Sequence, residues 1–337
     1  VQWRVAPGWT VNAGVRLDDH DLVGSNVSPR LGVNRRFADG SFARLGLLSG
    51  YRMPVPLEAY TEEYYFTIDD NVQAETIRAL DAEWRGSLGP VRLGVSGFYS
   101  RGNDLLVYLP LDQATMQANW NSWFAAYAGG DFTRQPGPFF SLGNLDNPVT
   151  LAGAEADAEM PMGPDWRLWA NATLQRYRHD HETPYESAGV TDLFGNTWFR
   201  FAGVLPRDFN EPPPLKASAG VRWQSGPWFA GTAVRYVASR TVFSVAASEY
   251  RVPPPEGIPV MALQEVPWYL AVDACAGYYR RLRRDRSLFV RLSGLNLLAD
   301  EHHETYEADV STLVRGNEDQ QGSLIGRSLV LSLGVQF

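Results

Sequence analysis

No stretch of this 337-residue chain comes near the run of ~18 to 20 apolar residues that a membrane helix needs. That excludes a helical membrane protein. It leaves open a chain that crosses lipid with strands, because alternating strands keep mean hydropathy low, and here it is −0.25. Cysteine is nearly absent. The single Cys275 allows neither an internal disulfide nor a cysteine-built zinc site, and its apolar strand context predicts a small buried hydrophobe. Lysine is almost missing too, since Lys216 is alone among 30 Lys and Arg residues. Net charge is −8, with no basic face to hold phosphates, so no nucleic-acid partner is expected. Helical periodicity is rare. HExxH, GxSxG and glycine-rich phosphate loops are absent, so nothing points to an enzyme, a cofactor or a metal cofactor site. Val1-Gln2-Trp3-Arg4-Val5 reads as a strand, not as a leader, so the chain is expected to begin inside a longer protein.

Two-residue alternation is what the sequence has in abundance. Leu329, Leu331, Leu333 and Val335 share one face while Ser328, Ser332, Gly334 and Gln336 share the other. Leu215, Ala217, Ala219, Val221 and Trp223 alternate with Lys216, Ser218, Gly220, Arg222 and Gln224 in the same way. The pattern predicts strands at 1–5, 9–18, 27–37, 41–51, 74–86, 91–101, 149–159, 166–178, 214–224, 227–239, 267–280, 287–297 and 326–337. Alternation alone would suit a soluble sandwich. The connections decide against one, because they alternate between short and long. Segments such as Ala6-Pro7-Gly8 and Ser225-Gly226 are tight, whereas 52–73, 102–148, 179–213, 240–266 and 298–325 are extended. All long loops at one end is the habit of outer-membrane barrels. Aromatic residues near strand ends, among them Trp9, Trp166, Trp223, Trp228 and Tyr278, suit interfacial girdles. The predicted fold class is all-β: an antiparallel up-and-down transmembrane β-barrel, partial, of about twelve or thirteen strands, forming one domain over 1–337.

Six segments in order resemble the barrel of TonB-dependent outer-membrane receptors. They are Ser28-Pro29-Arg30-Leu31-Gly32; Tyr51-Arg52-Met53-Pro54 with Leu57-Glu58-Ala59-Tyr60; and Ala74-Glu75-Thr76 with Asp81-Ala82-Glu83-Trp84. After these come Phe98-Tyr99-Ser100 with Asn103-Asp104-Leu105-Leu106; Gly294-Leu295-Asn296-Leu297-Leu298-Ala299-Asp300; and Gly326-Arg327-Ser328 to Phe337. Met53, Ala74 and Leu298 depart from the family pattern, at positions that touch packing. The resemblance implies the C-terminal part of a 22-stranded barrel whose lumen holds an N-terminal plug. That plug, the TonB-contacting segment and the early strands lie outside this sequence. It further implies a receptor in the outer membrane of a Gram-negative cell, in contact with outer-membrane lipid. Such a receptor imports a scarce nutrient chelate (a ferric siderophore, haem or cobalamin) and is driven by the TonB complex through the missing N-terminal region. A passive porin- or adhesin-type barrel is the alternative. With two open edges, the piece alone is expected to be unstable in lipid.

The connection 102–148 is the candidate ligand site. It carries Trp120, Trp123, Phe124, Tyr127, Phe132, Phe139 and Phe140 among Gly and Asn, and aromatics at that density suit a flat, partly apolar ligand. Folding the loop onto itself explains them equally well. His179-Asp180-His181-Glu182, His302-His303-Glu304 and Asp18-Asp19-His20-Asp21 have metal-ligand chemistry but read more readily as solvated loop polarity.

Overall fold

The computed structural model describes residues 1–20, 24–54, 66–68, 72–131, 133, 140–145, 147–179, 185–186, 190–191, 197–198, 200–203, 212–245, 260–281, 286–299, 302–303 and 324–336. One 13-stranded sheet organises them. Its strands are β1 (Gln2–Ala6), β2 (Trp9–His20), β3 (Gly24–Arg36), β4 (Phe42–Arg52), β5 (Glu75–Leu88), β6 (Val91–Asn103) and β7 (Val149–Met162). They continue with β8 (Trp166–His179), β9 (Leu215–Ser225), β10 (Trp228–Val237), β11 (Tyr269–Arg281), β12 (Ser287–Leu295) and β13 (Ser328–Gln336). Each strand pairs antiparallel with the next, so β1 and β13 are the sheet's two edges. All thirteen expected strands are present, with ends shifted by a few residues.

Register sets which side chains share a face. Trp84, Val95, Ala156, Ala172, Ala217, Tyr236 and Leu270 form one unbroken cross-strand row from β5 to β11. One residue over, on the opposite face, runs Arg85, Gly94, Asp157, Asn171, Ser218, Arg235 and Ala271. The first row is apolar and the second mostly polar, as the period of two requires. Among the described residues nothing covers the apolar face: Leu329, Leu331 and Leu333 on β13 are 69%, 63% and 68% exposed. A water-soluble sheet would bury such a face, whereas a membrane sheet turns it to lipid.

Turns and rims follow from glycine and aromatics. Gly8, Gly89, Gly163 and Gly226 take positive φ at the short-turn rim, a conformation glycine adopts without strain. There, Trp166 and Trp223 are directly paired with ring centroids 6.2 Å apart, and Trp228 meets Tyr278 at 4.8 Å. Arg35 lies over Trp9 at 4.8 Å. Tyr236 and Trp268, 6.0 Å apart, stand toward the other rim. Buried clusters also sit near that second rim: Leu145 and Val149 with Leu105 and Tyr177, and Val237 with Tyr269 and Ala271. Cys275 departs from its sequence reading. It is half-buried and lies on the polar face, between Gly231 and Ser293.

Candidate functional site

Two surfaces of the described residues are built for contact: the polar face of the sheet, and the structure standing on the long-connection rim.

The polar face carries cross-strand charge pairs. Arg44 on β4 meets Asp81 on β5 at 3.4 Å. Arg85 pairs with Glu83 on its own strand and reaches Asp157 on β7 at 3.5 Å. Arg167 on β8 holds Glu159 on β7 at 3.2 Å, and Thr173 donates to Glu155 at 3.4 Å. From β9 onward the pattern changes. Arg222, 5.5 Å from the Trp169 ring, Arg235 and Arg291 share the face with Asp273, whose Oδ1 accepts the Asn296 backbone N–H at 2.9 Å. Asn296 itself sits at φ 48, a left-handed conformation that Asn tolerates.

Large side chains on this face lie against cross-strand glycines. Phe98 is paired with Gly153, Trp169 with Gly220, Phe229 with Gly277 and Phe289 with Gly334. A Cβ at Gly153 would stand 2.6 Å from the Phe98 ring, and one at Gly220 would stand 2.8 Å from Trp169. Each ring can therefore lie flat only because its partner has no side chain. The effect is a wall whose bulk is kept close to the backbone.

On the long-connection rim, the two segments between β4 and β5 and between β6 and β7 are joined. Phe66–Ile68, Leu106–Pro110 and Phe140–Asn144 form one three-stranded sheet. Asn144 locks it. Its Oδ1 accepts the Gln73 N–H at 2.6 Å, and its Nδ2 donates to the Gln73 carbonyl at 3.0 Å and to the Asp104 carbonyl. Arg52 donates two hydrogen bonds to Glu75, at 2.6 and 2.8 Å, and Glu75 also accepts the Leu106 N–H at 2.8 Å. Charge-assisted bidentate pairs of this kind are among the stronger polar contacts.

A helix, α1 (Gln113–Ala128), stands next in this segment. Asp112 caps it by accepting the Thr115 N–H at 3.0 Å and the Thr115 hydroxyl at 2.5 Å. The hydroxyl bond first, then the backbone one, holds the Asp112 carboxyl below its ordinary range. Met116, Trp120, Trp123 and Tyr127 follow at helical spacing along one face. Burial falls along it: Met116 is 1% exposed and Trp120 5%, Trp123 is half-buried and Tyr127 is 48% exposed. Trp123 binds the group together, with centroids 4.9 Å from Trp120, 5.6 Å from Tyr127 and 6.4 Å from Phe124. The four expected ligand-contact aromatics are thus brought together, on a helix rather than on an irregular loop. Trp120 serves the packing, while Trp123, Phe124 and Tyr127 keep accessible surface. The signals for the helix were in the sequence: a capping Asp112, apolar residues at 116, 120, 123 and 127, and Gly129-Gly130 at the end. Phe132 and Phe139 lie outside the described residues.

The metal-type clusters fare differently. Asp18 is held by Arg16 at 2.7 Å and Asp19 accepts the Ser25 hydroxyl at 2.6 Å, which takes two donors from a calcium reading. His302–His303 pairs as a short strand with Leu324–Ile325. Asp180, His181, Glu182 and Glu304 lie outside the described residues, and among the described ones no metal-ligating group of three appears.

Residues 1–297 match the family model described as TonB dependent receptor-like, beta-barrel. Solved structures share the fold. The chain is similar to the siderophore receptor PirA from Acinetobacter baumannii, at 16% identity and TM-score 0.63, over 100% of this chain and 44% of that one. It is similar to a ferric enterobactin receptor mutant from Pseudomonas aeruginosa solved with enterobactin, at 15% and 0.64, over 99% and 44%. A structure described as the copper transporter OprC matches at 14% and 0.60, over 100% and 46%. The chain therefore spans less than half the length of these relatives. No curated protein sequence matches it.

Proposed function

Because this chain belongs to the TonB-dependent receptor β-barrel family, we propose that it serves in an outer-membrane importer, driven through TonB, that takes up a scarce nutrient chelate. The observation that carries the reading is the sheet itself: thirteen consecutive strands with an apolar outer face and a charge-paired inner wall. At ~4.8 Å per strand this makes an arc of about 60 Å. A barrel that wide encloses more than its own side chains fill, so its lumen suits a plug. Ferric siderophores, haem and cobalamin are the candidate cargoes. The copper transporter among the structural neighbours adds a metal ion to that set.

On this reading the exposed end of the α1 aromatic face, Trp123, Phe124 and Tyr127, first meets the ligand, with Trp120 supporting it from below. The test is uptake of radiolabelled ferric chelates, haem, cobalamin and copper by cells that express the full-length protein, with and without functional TonB. Energy-dependent accumulation of one cargo is expected, lost without TonB. Equal uptake in both strains points to a passive barrel and overturns the proposal. For the aromatic site, Tyr127→Ala should weaken binding of that cargo several-fold while leaving the barrel folded. Unchanged affinity in Trp123→Ala and Tyr127→Ala alike would remove α1 from the site.

A further inference from the structure

The polar face changes character along the sheet. On β4 to β8, Arg44, Arg85 and Arg167 each meet a carboxylate. On β9 to β12 the same face carries Lys216, Arg222, Arg235, Arg281 and Arg291, and Asp273 is the one carboxylate in those four strands. Arg222 and Arg291 are exposed, and among the described residues neither has an acidic partner. Arg222 lies over the Trp169 ring at 5.5 Å. Asp273 serves the backbone instead, since its Oδ1 accepts the Asn296 N–H at 2.9 Å.

These two arginines flank a cavity of about 510 Å³. That lies within the usual range of small-molecule sites, about 300–1,000 Å³. Register explains its shape. Arg222 on β9 is directly opposite Gly231 on β10, Gly231 is opposite Cys275 on β11, and Cys275 is opposite Ser293 on β12. The floor is therefore made of short side chains. Trp169 and Phe229 also line the cavity, and both lie low because each is paired with a glycine. A Cβ at Gly220 would stand 2.8 Å from Trp169, and one at Gly277 would run into the Phe229 ring.

The chemistry follows from the walls. Three strand spacings of ~4.8 Å put the two arginine backbones about 14 Å apart, a span that their extended side chains narrow. Each guanidinium presents a planar fork that matches a carboxylate. The Trp169 contact holds the Arg222 fork in place and leaves its donors free for an anion. The rings supply surfaces for a flat, apolar body. Position separates this cavity from α1. Arg222 precedes Trp223, which pairs with Trp166 at the short-turn rim, whereas α1 stands on the long-connection rim.

We infer that the inner wall of β9 to β12 holds a second ligand subsite, at its short-turn end, for a planar aromatic anion bracketed by Arg222 and Arg291 and laid against Trp169 and Phe229. The inference rests on the reading of this chain as an importer's barrel, and it names the cargo's class. Two arginines without acidic partners repel a bare metal cation and favour an anionic aromatic chelator.

Cys275, on the cavity floor, serves as the reporter. In the full-length protein in detergent, its reaction with negatively charged sulfonatoethyl and positively charged trimethylammonioethyl methanethiosulfonate is followed by mass spectrometry of the Cys275 peptide. Relative to the same two rates with β-mercaptoethanol, the negative reagent should be favoured about tenfold, and less at high salt. R222Q/R291Q should abolish that preference while keeping heat-modifiable mobility on gels. If the double variant does not fold, R291Q alone should lose part of it. Millimolar phthalate should slow labelling well below the rate left by its saturated analogue hexahydrophthalate or by inorganic phosphate. Phe229→Ala should erase that difference and keep the charge preference. An unchanged preference in the arginine variants overturns the assignment. So does a Cys275 inert to both reagents, which would show another part of the protein filling the cavity. Equal protection by all three anions would mark a simple ion site and overturn it as well. Uptake that does not need TonB would sink the importer and leave the labelling pattern standing, so the two readings fail separately.

Discussion

The two faces of the sheet are made by the same strands, one residue apart, and they solve opposite problems. The outer row from Trp84 to Leu270 has no charge, and the residues on it need no partner from the chain. The inner row from Arg85 to Ala271 is held by pairs: Arg85 with Asp157, and in neighbouring rows Arg44 with Asp81 and Arg167 with Glu159. In a membrane barrel an outer face tolerates exposure because lipid covers it, and an inner face tolerates charge because water or another polar surface meets it. A given side chain is therefore stabilising or ruinous by parity alone.

Arginine scanning of the full-length barrel should break the symmetry most sharply. Ala172→Arg places a charge at mid-membrane on the lipid face and should cost about 2–4 kcal/mol. Asn171→Arg, its neighbour on the inner face and directly opposite Asp157, should cost under about 1 kcal/mol. Urea unfolding in liposomes measures both, and equal losses would mean that the faces are misassigned. Next in size is the ring-on-glycine device. A Cβ at Gly334 would run into the Phe289 ring. Gly334→Ala should therefore cost about 1–3 kcal/mol by overpacking, and adding Phe289→Ala should recover part of the loss. Additive losses in that double-mutant cycle would show that the ring and the glycine do not interact.

The thirteen strands were legible because each had to alternate: a one-residue slip would turn Leu329, Leu331, Leu333 and Val335 to the polar side. The long connections were legible only as lengths. Period two says nothing about segments that pack on each other, so the small sheet of Phe66–Ile68, Leu106–Pro110 and Phe140–Asn144 left no comparable trace. Nor did the Asn144 lock on Gln73, a contact 71 residues apart in sequence. Four aromatics were recognised as a group, but their helical spacing was the stronger signal, and it separates buried Trp120 from exposed Tyr127.

The rim above the sheet should respond more weakly, and locally. Glu75 accepts from Arg52 twice and from the Leu106 N–H, so Glu75→Gln loses the ion pair and keeps much of the shape. Hydrogen exchange at Leu106 should rise by about ten- to a hundredfold, a local loss of roughly 1–3 kcal/mol, with strand amides of β5 unchanged. Exchange rising throughout β5 would instead make the rim part of the barrel's cooperative unit. Smallest of all is the effect of acid on α1. The Thr115 hydroxyl and N–H hold the Asp112 carboxyl below its ordinary value, so the folded form binds its proton less readily than the unfolded chain. The cap's contribution is therefore complete above the ordinary carboxylate range near 4 and fades as pH falls through the lower, folded value. Asp112→Asn keeps a capping oxygen and removes the titration. In the wild type, exchange at the first turn of α1 should quicken on acidification, after correction for the intrinsic pH dependence. In Asp112→Asn it should stay flat, and a parallel rise in both would place the acid sensitivity of the rim elsewhere than in this carboxylate.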